Sequence, residues 1–377
     1  MKKMAIVLAS AFVLMAVILI GFMVYMINRG EIGAGTENIK STDLKLVNTQ
    51  QVNLNNIDSI NIKFYSDEVV FLASDKEELV LKEYKTYTPK QEELASISTS
   101  DHKLSIKGKE KKFNFFSAKN HHSRAEIYLP KQYAKKLSIA TSSGDITSEL
   151  VISMDTFMAS SSSGLIRMNE ILANEIQVST TSGNIMLQKA EGNRTISSSS
   201  GSIKVLGGKG ASRVESSSGT IYIEKSTGDL VVSSSSGDIK INGSVGKKEL
   251  NASSGTIFVE DSSGIINAST TSGAIKIEAL DGGGRMDTAS GGISLSLQKL
   301  TSSITMNASS GDIKLTLPES ESFQFTASSS SGKVKTDFDD VITFDKDKKH
   351  ANGVVGEGAN YNIALQTSSG NIAVMRN

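Results

Sequence analysis

Glycine recurs at every ninth position through the middle of this 377-residue chain. The series runs without interruption through Gly183, Gly192, Gly201, Gly210, Gly219, Gly228, Gly237, Gly246, Gly255, Gly264, Gly273, Gly282 and Gly291. Alternate members stand in the fuller motif Ser-Gly-x-Ile, so the true repeat is eighteen residues long and has two unlike halves. A fixed period with a turn residue in each half is typical of solenoids, in which every repeat forms one coil. The glycine series therefore predicts a solenoid.

The residues between the glycines predict that each coil is built from β-strands. Isoleucine stands two residues after six alternate glycines, at Ile203, Ile221, Ile239, Ile257, Ile275 and Ile293. A second aliphatic residue follows two positions later, and this spacing places both side chains on one face of a strand. The residue three positions before each glycine is always small, which indicates an inward corner. We expect an all-β fold over residues 137–377: a parallel β-solenoid of about 18-residue coils, with an insertion at about 337–361.

The N-terminal segment has the composition of a membrane anchor. Residues 4–27 carry no charge over 24 positions, and at 1.5 Å per residue they would span about 36 Å, enough to cross a bilayer. Lys2 and Lys3 precede this run and favour a cytoplasmic N-terminus. We interpret residues 1–29 as an N-terminal transmembrane signal anchor and residues 30–42 as a linker, with a cleaved signal peptide as the alternative. This predicts a single-pass protein of the cell membrane with an extracellular solenoid.

Residues 43–136 alternate like strands but lack the glycine period. This region contains Phe64 and Phe71, whereas the repeats are poor in aromatic residues. A solenoid must cover its terminal coil. We therefore expect residues 43–136 to form a β-rich N-terminal cap or irregular first coils.

The composition excludes several classes of function. Forty basic and forty acidic residues balance, so no global positive field would attract nucleic acid. The chain has no cysteine, hence no disulfides and no thiol chemistry. The corners carry serine where calcium-binding repeats carry regular carboxylates, and hydroxyls alone do not hold Ca²⁺. We expect no metal site and no cofactor.

The glutamates that recur on the strands are the acidic groups that a catalytic site would need. Glu224, Glu260 and Glu278 stand five residues after Ser-Gly-x-Ile glycines, on the outward side, and alternate with lysines. Such alternation is typical of a solvated strand surface that resists aggregation. We expect no catalytic residues and no enzymatic activity. A cell-wall polysaccharide lyase or hydrolase built on a β-helix is the enzymatic alternative.

Two basic surfaces are candidate binding sites. An outward column of cations and rings occurs three residues after successive glycines, with candidate binding residues Lys204, Tyr222, Lys240, Phe258, Lys276 and Lys314. Stacked coils would align this column as a stripe able to bind an anionic cell-wall polymer, such as teichoic acid, or an anionic lipid surface. Arg167 and Lys335 extend the same series. A second, membrane-proximal basic patch contains Lys107, Lys109, Lys111 and Lys112, and we expect it to face the anionic membrane surface.

The repeats also resemble a known family. The recurring Ser-Ser-Ser-Gly-Asp-Ile element, preceded by Ile127-Tyr128-Leu129-Pro130-Lys131 and Leu137-Ser138-Ile139, resembles the bacterial "putative adhesin" domain of unknown function, which includes LiaG-like membrane proteins of Gram-positive bacteria. The resemblance covers about residues 50–377. It implies a location at the cell surface and a role in adhesion or in the envelope stress response. The latter role gives a third hypothesis, an accessory protein that binds other membrane proteins of the envelope.

Overall fold

The computed structural model describes residues 44–109 and 122–377, and these residues form a parallel β-solenoid. This confirms the predicted fold class for the described part of the chain. Those two ranges contain no α-helix, and none of their segments could cross a membrane as a helix. The predicted transmembrane anchor at residues 1–29 and the linker at residues 30–42 lie outside the described residues.

The longest strands, of 14 to 18 residues, form two groups that flank a central group of strands of two to five residues. A single 3-10 turn, Gln91–Glu93, interrupts the described strands. The N-terminal strands are β1 (Lys45–Asn53), β2 (Ser59–Lys63), β3 (Glu68–Ser74), β4 (Glu78–Lys85), β5 (Ser96–Ser100), β6 (Lys103–Lys107), β7 (Ser123–Pro130) and β8 (Lys136–Thr141). The next strands are β9 (Ile146–Ser161), β10 (Ile166–Thr180), β11 (Ile185–Ser198), β12 (Ile203–Val205), β13 (Gly208–Lys209), β14 (Ser212–Ser216), β15 (Ile221–Glu224), β16 (Ser226–Thr227), β17 (Leu230–Ser234), β18 (Ile239–Asn242) and β19 (Lys248–Ala252).

The C-terminal part begins with three further long strands. Its strands are β20 (Ile257–Thr270), β21 (Ile275–Ser290), β22 (Ile293–Ser310), β23 (Ile313–Leu317), β24 (Phe323–Ser329), β25 (Val334–Thr336), β26 (Ile342–Phe344), β27 (His350–Val355), β28 (Tyr361–Ser369) and β29 (Ile372–Arg376).

Each coil contributes to two parallel faces. The strand that follows a Ser-Gly turn belongs to what we call the isoleucine face, for example β12, β15 and β18. The strand that precedes the turn belongs to the serine face, for example β14, β17 and β19. The long strands β9–β11 and β20–β22 bend around the corner and contribute to both faces.

The register confirms the eighteen-residue coil. Ile203 pairs with Ile221, Ile221 with Ile239, and Ile239 with Ile257, each step being eighteen residues. These isoleucines are at most 1% exposed. Each fully buried aliphatic side chain contributes roughly 1.5–3 kcal/mol to the free energy of unfolding. Because neighbouring coils stack, these contributions add along the solenoid and stabilise coils that could not fold alone.

The two glycine series serve different backbone requirements. A Cβ at Gly219, in a Ser-Ser-Gly turn, would overlap the carbonyl oxygen of Gly201 in the preceding coil, so the close approach of the two turns requires glycine. Gly228 lies at the opposite corner and has a φ of +123° as well as a close approach to Gly210. L side chains rarely adopt such a φ. The nine-residue spacing therefore arises because each coil has two glycine corners with different backbone geometry.

The aspartates that follow some of the turn glycines connect neighbouring coils. Oδ1 of Asp238 accepts a hydrogen bond from the backbone N–H of Thr256 in the next coil, at 2.9 Å. The carboxylates of Asp145, Asp229 and Asp312 accept bonds from the next coil in the same way. Their irregular occurrence thus has a structural explanation that needs no metal ion. No group of three or more potential metal ligands occurs in the described ranges.

At the N-terminal end, the order of the coils in space differs from their order in the chain. Strand β2 lies between β6 and β8, and β3 lies between β7 and β9. The coil formed by β2 and β3 is therefore enclosed on both sides. The antiparallel strands β1, β4 and β5 complete this end, above a core that contains the buried rings of Phe64 and Phe71.

The C-terminal end has the same exchange of order. Strand β28 lies between β22 and β24, and β29 lies between β23 and β25. The last coil in the sequence is thus the penultimate coil in space. Antiparallel strands β26 and β27 extend the serine face beyond β24. The rings of Phe323, Phe325 and Phe338 pack edge to face beneath this end.

Candidate functional site

The predicted basic and aromatic residues lie in one column on the outer side of the isoleucine face. Consecutive coils pair Lys204 with Tyr222, Tyr222 with Lys240, Lys240 with Phe258, and Phe258 with Lys276. Adjacent strands lie about 4.8 Å apart. The β-ladder therefore places three cations and two rings in alternation on five successive coils.

The ends of this series are less regular than its centre. Ser294 separates Lys276 from Lys314, and Met186 separates Arg167 from Lys204. At the far end, Ala373 separates Lys314 from Lys335, because strand β29 is inserted there. We use the name basic–aromatic column for Lys204, Tyr222, Lys240, Phe258, Lys276 and Lys314.

Contacts between neighbouring coils orient the side chains of the column. Nζ of Lys204 lies 5.5 Å from the ring centroid of Tyr222, and Nζ of Lys276 lies 5.3 Å from that of Phe258. Both distances are within the range of a cation–π interaction. The rings are half-buried, whereas Lys204, Lys240 and Lys276 are exposed. The ammonium groups are thus held near the face and remain available to solvent.

The glutamates form a second column beside the first. Glu224 and Glu260 are separated by Asn242, and Glu260 pairs directly with Glu278. Lys276 makes a 2.7 Å ion pair with Glu278, so the acidic column partly neutralises the basic one.

The environment of Glu224 favours its charged form. A hydrogen bond from Lys225, together with one from the Tyr222 hydroxyl, lowers the pKa of the Glu224 carboxyl. A general acid for glycoside hydrolysis requires a raised pKa. Glu224 therefore lacks the raised pKa that the general acid of a polysaccharide hydrolase needs.

The second predicted patch is only partly described. Lys107 ends strand β6, opposite Lys63 of β2, and both Lys107 and Lys109 are exposed. Lys111 and Lys112 lie outside the described residues. The structure therefore shows two of the four lysines at the N-terminal end of the solenoid, and the patch as a whole stays a prediction.

A polar groove on the serine face was not predicted from the sequence. It has a volume of about 1070 Å³ and lies where β21, β22, β28, β24 and β27 adjoin. The Asp287 carboxylate lines it and accepts hydrogen bonds from Nε of Arg285 at 2.6 Å and Nδ2 of Asn307 at 2.8 Å. His350 and Asn352 line the same groove. The only available signal was the replacement of outward serines by larger polar residues.

The burial of two cationic side chains was also not predicted from the sequence. Arg194 is 2% exposed and donates to the carbonyl oxygens of Ala190 and Gly210. Lys248 is fully buried and donates to the carbonyl oxygens of Gly246 and Ser263 at 3.0 Å. Burial lowers the pKa of the Arg194 guanidinium to about 10 and that of the Lys248 ammonium to about 8. Both replace an aliphatic residue of the inward column, which was the available signal.

The fold and its outward columns define a parallel β-solenoid repeat protein. The chain belongs to the Toastrack DUF4097 family, whose profile matches residues 57–243 and 214–375. This confirms the predicted resemblance to an adhesin-like family of unknown function. No curated protein matches the chain.

Two solved structures match the chain at low sequence identity and low TM-score. One is a "putative cell adhesion protein" from Clostridium sporogenes, with 11% identity over 89% of this chain and 100% of that chain, and a TM-score of 0.20. The other is a "putative adhesin" from Bacteroides fragilis, with 18% identity over 67% of this chain and 97% of that chain, and a TM-score of 0.29.

Proposed function

We propose that this protein is a non-enzymatic, adhesin-like interaction surface of the cell envelope. Membership of the Toastrack family supports the adhesin-like class. The observation that carries the proposal is the register of Lys204, Tyr222, Lys240, Phe258 and Lys276 on five consecutive coils. A stacked solenoid presents such a column as an extended, rigid array.

The chemistry of the column favours an anionic linear polymer as the ligand. Lys204, Lys240 and Lys276 stand on alternate coils, which places them about 10 Å apart along the solenoid axis. A polymer with repeated anionic groups can contact several of these ammonium groups at once, and multivalency raises its affinity. The intervening rings of Tyr222 and Phe258 add apolar surface. Teichoic acid is a cell-wall polymer of this kind.

We also propose that the solenoid is attached to the cell membrane by residues 1–29, with the N-terminus in the cytoplasm. The support is in the sequence: residues 4–27 are uncharged and follow two lysines. In this arrangement, the solenoid would stand outside the membrane, where anionic wall polymers occur.

Binding to purified polymers tests the proposal. The protein would be incubated with intact teichoic acid, with an uncharged polysaccharide of similar length as the neutral polymer, and with peptidoglycan fragments. We expect co-sedimentation with intact teichoic acid that falls steeply as salt concentration rises, because ion pairs at an exposed surface are screened. Equal retention on the intact and the neutral polymer would contradict a charge-based site.

The same incubation separates the two alternatives. Release of oligosaccharides from peptidoglycan would support a cell-wall polysaccharide lyase or hydrolase. The lowered pKa of Glu224 speaks against a general acid at that position. Failure to bind any polymer, together with specific capture of a membrane protein of the envelope, would instead support an accessory role in the envelope stress response.

A further inference from the structure

Three buried side chains of complementary chemistry meet beneath the N-terminal strands. Asp67, Glu83 and Lys85 are 6%, 3% and 5% exposed. Glu83 and Lys85 lie on the buried side of strand β4. Asp67 precedes β3 at the corner position that glycine occupies in later coils, since the turn of Gly144 stacks on its carbonyl oxygen. The cluster therefore joins an antiparallel cap strand to the first turn of the ladder.

The amine of Lys85 lies between the two carboxyl groups without a short contact to either. Nζ is 3.9 Å from Oδ1 of Asp67 and 3.8 Å from Oε1 of Glu83. Charge-assisted N–O contacts usually close to about 2.7–2.9 Å. The exposed pair Lys135–Asp58 closes to 2.6 Å. Lys85 thus makes two long ion pairs in a buried site rather than one short pair, and its Nζ also donates to the backbone carbonyl oxygen of Glu93 at 3.4 Å.

The two carboxyl groups have different surroundings. Glu83 is fixed, because both of its oxygens accept from the backbone N–H of Ala95 at 3.1 Å, and Oε2 also accepts from Nδ2 of Asn48 at 2.7 Å. In the described part of the chain, Asp67 makes one ion pair, the long contact with Lys85. Because these hydrogen bonds hold the Glu83 carboxylate in place, we assign Asp67 as the carboxyl group that reacts.

We propose that Lys85 and Asp67 form an intramolecular amide bond, with Glu83 relaying the proton. In the first step, a proton passes from Nζ to the Asp67 carboxyl and leaves a neutral amine beside a neutral acid, in a buried site where charges are poorly solvated. The nitrogen lone pair attacks Cγ of Asp67. Glu83 accepts a proton from that nitrogen and delivers it to the departing hydroxyl, which leaves as water.

The step balances without any further reactant. One C–N bond forms, one C–O bond of Asp67 breaks, and one water molecule is released. The cluster carries a net charge of −1 before the reaction and −1 afterwards, on Glu83. Carbon is neither oxidised nor reduced. Proximity in a buried site supplies the rate advantage that such a condensation requires.

The bond would reinforce the end of the solenoid at which the N-terminal segment enters. Strand β1 pairs with β4 in the described structure. A force applied through the residues before Lys45 therefore reaches β4 through β1. A covalent link from Lys85 on β4 to Asp67 would pass that force to the first coil. The inference does not depend on polymer binding.

Peptide mapping by mass spectrometry tests the proposal on the purified full chain. Trypsin would release Asp67 within residues 64–76, and an acylated Lys85 would resist cleavage within residues 83–90. We expect these two peptides to be recovered as one branched species, whose mass is their sum less one water. Recovery of separate peptides, with cleavage after Lys85, would overturn the proposal.

Two variants and one internal control sharpen the test. Lys85→Arg keeps the charge but should give only unlinked peptides, and Glu83→Gln should greatly lower the linked fraction. Folding of each variant would be checked by circular dichroism, although the map of the unaltered protein decides the question alone. The exposed pair Lys135–Asp58 should remain unlinked despite its 2.6 Å contact. A link there as well would indicate a proximity artefact and would overturn the role given to burial.

Discussion

The hydroxyl of Ser216 accepts a hydrogen bond from the backbone N–H of Gly219 at 3.0 Å. Both groups are buried at the corner of their coil. The same bond recurs along the solenoid at Ser161–Gly164, Thr180–Gly183, Ser198–Gly201, Ser234–Gly237, Thr270–Gly273 and Ser329–Gly332. The serine or threonine at this corner therefore supplies a hydrogen-bond acceptor for the glycine N–H as well as a small side chain. A buried N–H left unpaired is costly.

Ala308 and Ala252 stand at this corner without a side-chain acceptor, and Ala252 allows the bond to be measured. It occupies the corner position of its coil, three residues before the buried Gly255, and has no side-chain acceptor. We expect Ala252→Ser to raise the free energy of unfolding by about 0.5–1.5 kcal/mol. Denaturant titration would measure the change. Ser216→Ala is the matched reverse substitution and should destabilise by a similar amount. Equal stability of all three proteins would contradict the role assigned to the hydroxyl.

The close stacking of the turns predicts a strong effect of one added methyl group. A Cβ at Gly219 would overlap the backbone of Gly201, which cannot move away independently of its coil. We expect Gly219→Ala to lower the free energy of unfolding by about 2–4 kcal/mol. Gly207 is the control, because a Cβ there meets nothing closer than 3.6 Å. A similar loss of stability for Gly207→Ala would show that replacing glycine with alanine is costly in itself, independently of turn stacking.

The sequence was sufficient for the repeating part of the molecule and for its outward columns. A strict eighteen-residue period fixes which residues pair, so Lys204 and Tyr222 could be placed side by side in advance. The exchanged order of the terminal coils could not be predicted, because it depends on which distant strands pair and leaves no periodic signal. The burial of Lys248 was also missed, since a single polar residue in an aliphatic column does not show whether the register breaks or a charge is buried.

Lys248 should make stability depend on alkaline pH. Burial lowers its pKa to about 8 in the folded protein, against an ordinary value of 10.5 for a free lysine side chain, while Asp229 opposes the shift. Below pH 8 both states are protonated and the full penalty of burying the charge is present. Between pH 8 and 10.5 the unfolded state binds more protons, so stability rises with pH. The penalty relieved is on the order of 3 kcal/mol.

A comparison with Lys248→Met isolates this contribution. We expect the variant to be more stable than the unaltered protein at pH 7, with the difference shrinking as pH rises toward 10.5. Thermal unfolding at several pH values would measure it. A difference between the two proteins that stays constant from pH 7 to pH 10.5 would show that Lys248 does not titrate in this range.

The inserted position of the last coil predicts unusual protection at the end of the chain. Strand β29 lies between β23 and β25, so its backbone is bonded on both sides. We expect the amides of Ile372 and Val374 to exchange with solvent as slowly as those of interior coils. Native-state hydrogen exchange would measure this. Fast exchange at these two residues, comparable to that of strand β26, would contradict the exchanged order of the coils.

Charge reversal within the basic–aromatic column tests the proposed function most directly. The triple variant Lys204→Glu, Lys240→Glu and Lys276→Glu would be compared with a control in which three exposed lysines outside the column, Lys209, Lys247 and Lys299, are reversed. Both variants carry the same net charge, so any difference between them reports position. Affinity for teichoic acid would be measured by co-sedimentation at fixed ionic strength. We expect the column variant to lose more than tenfold in affinity, since each lysine near an anionic surface contributes about 1 kcal/mol, and the control to lose far less. Equal affinities for the two variants would contradict binding through the column.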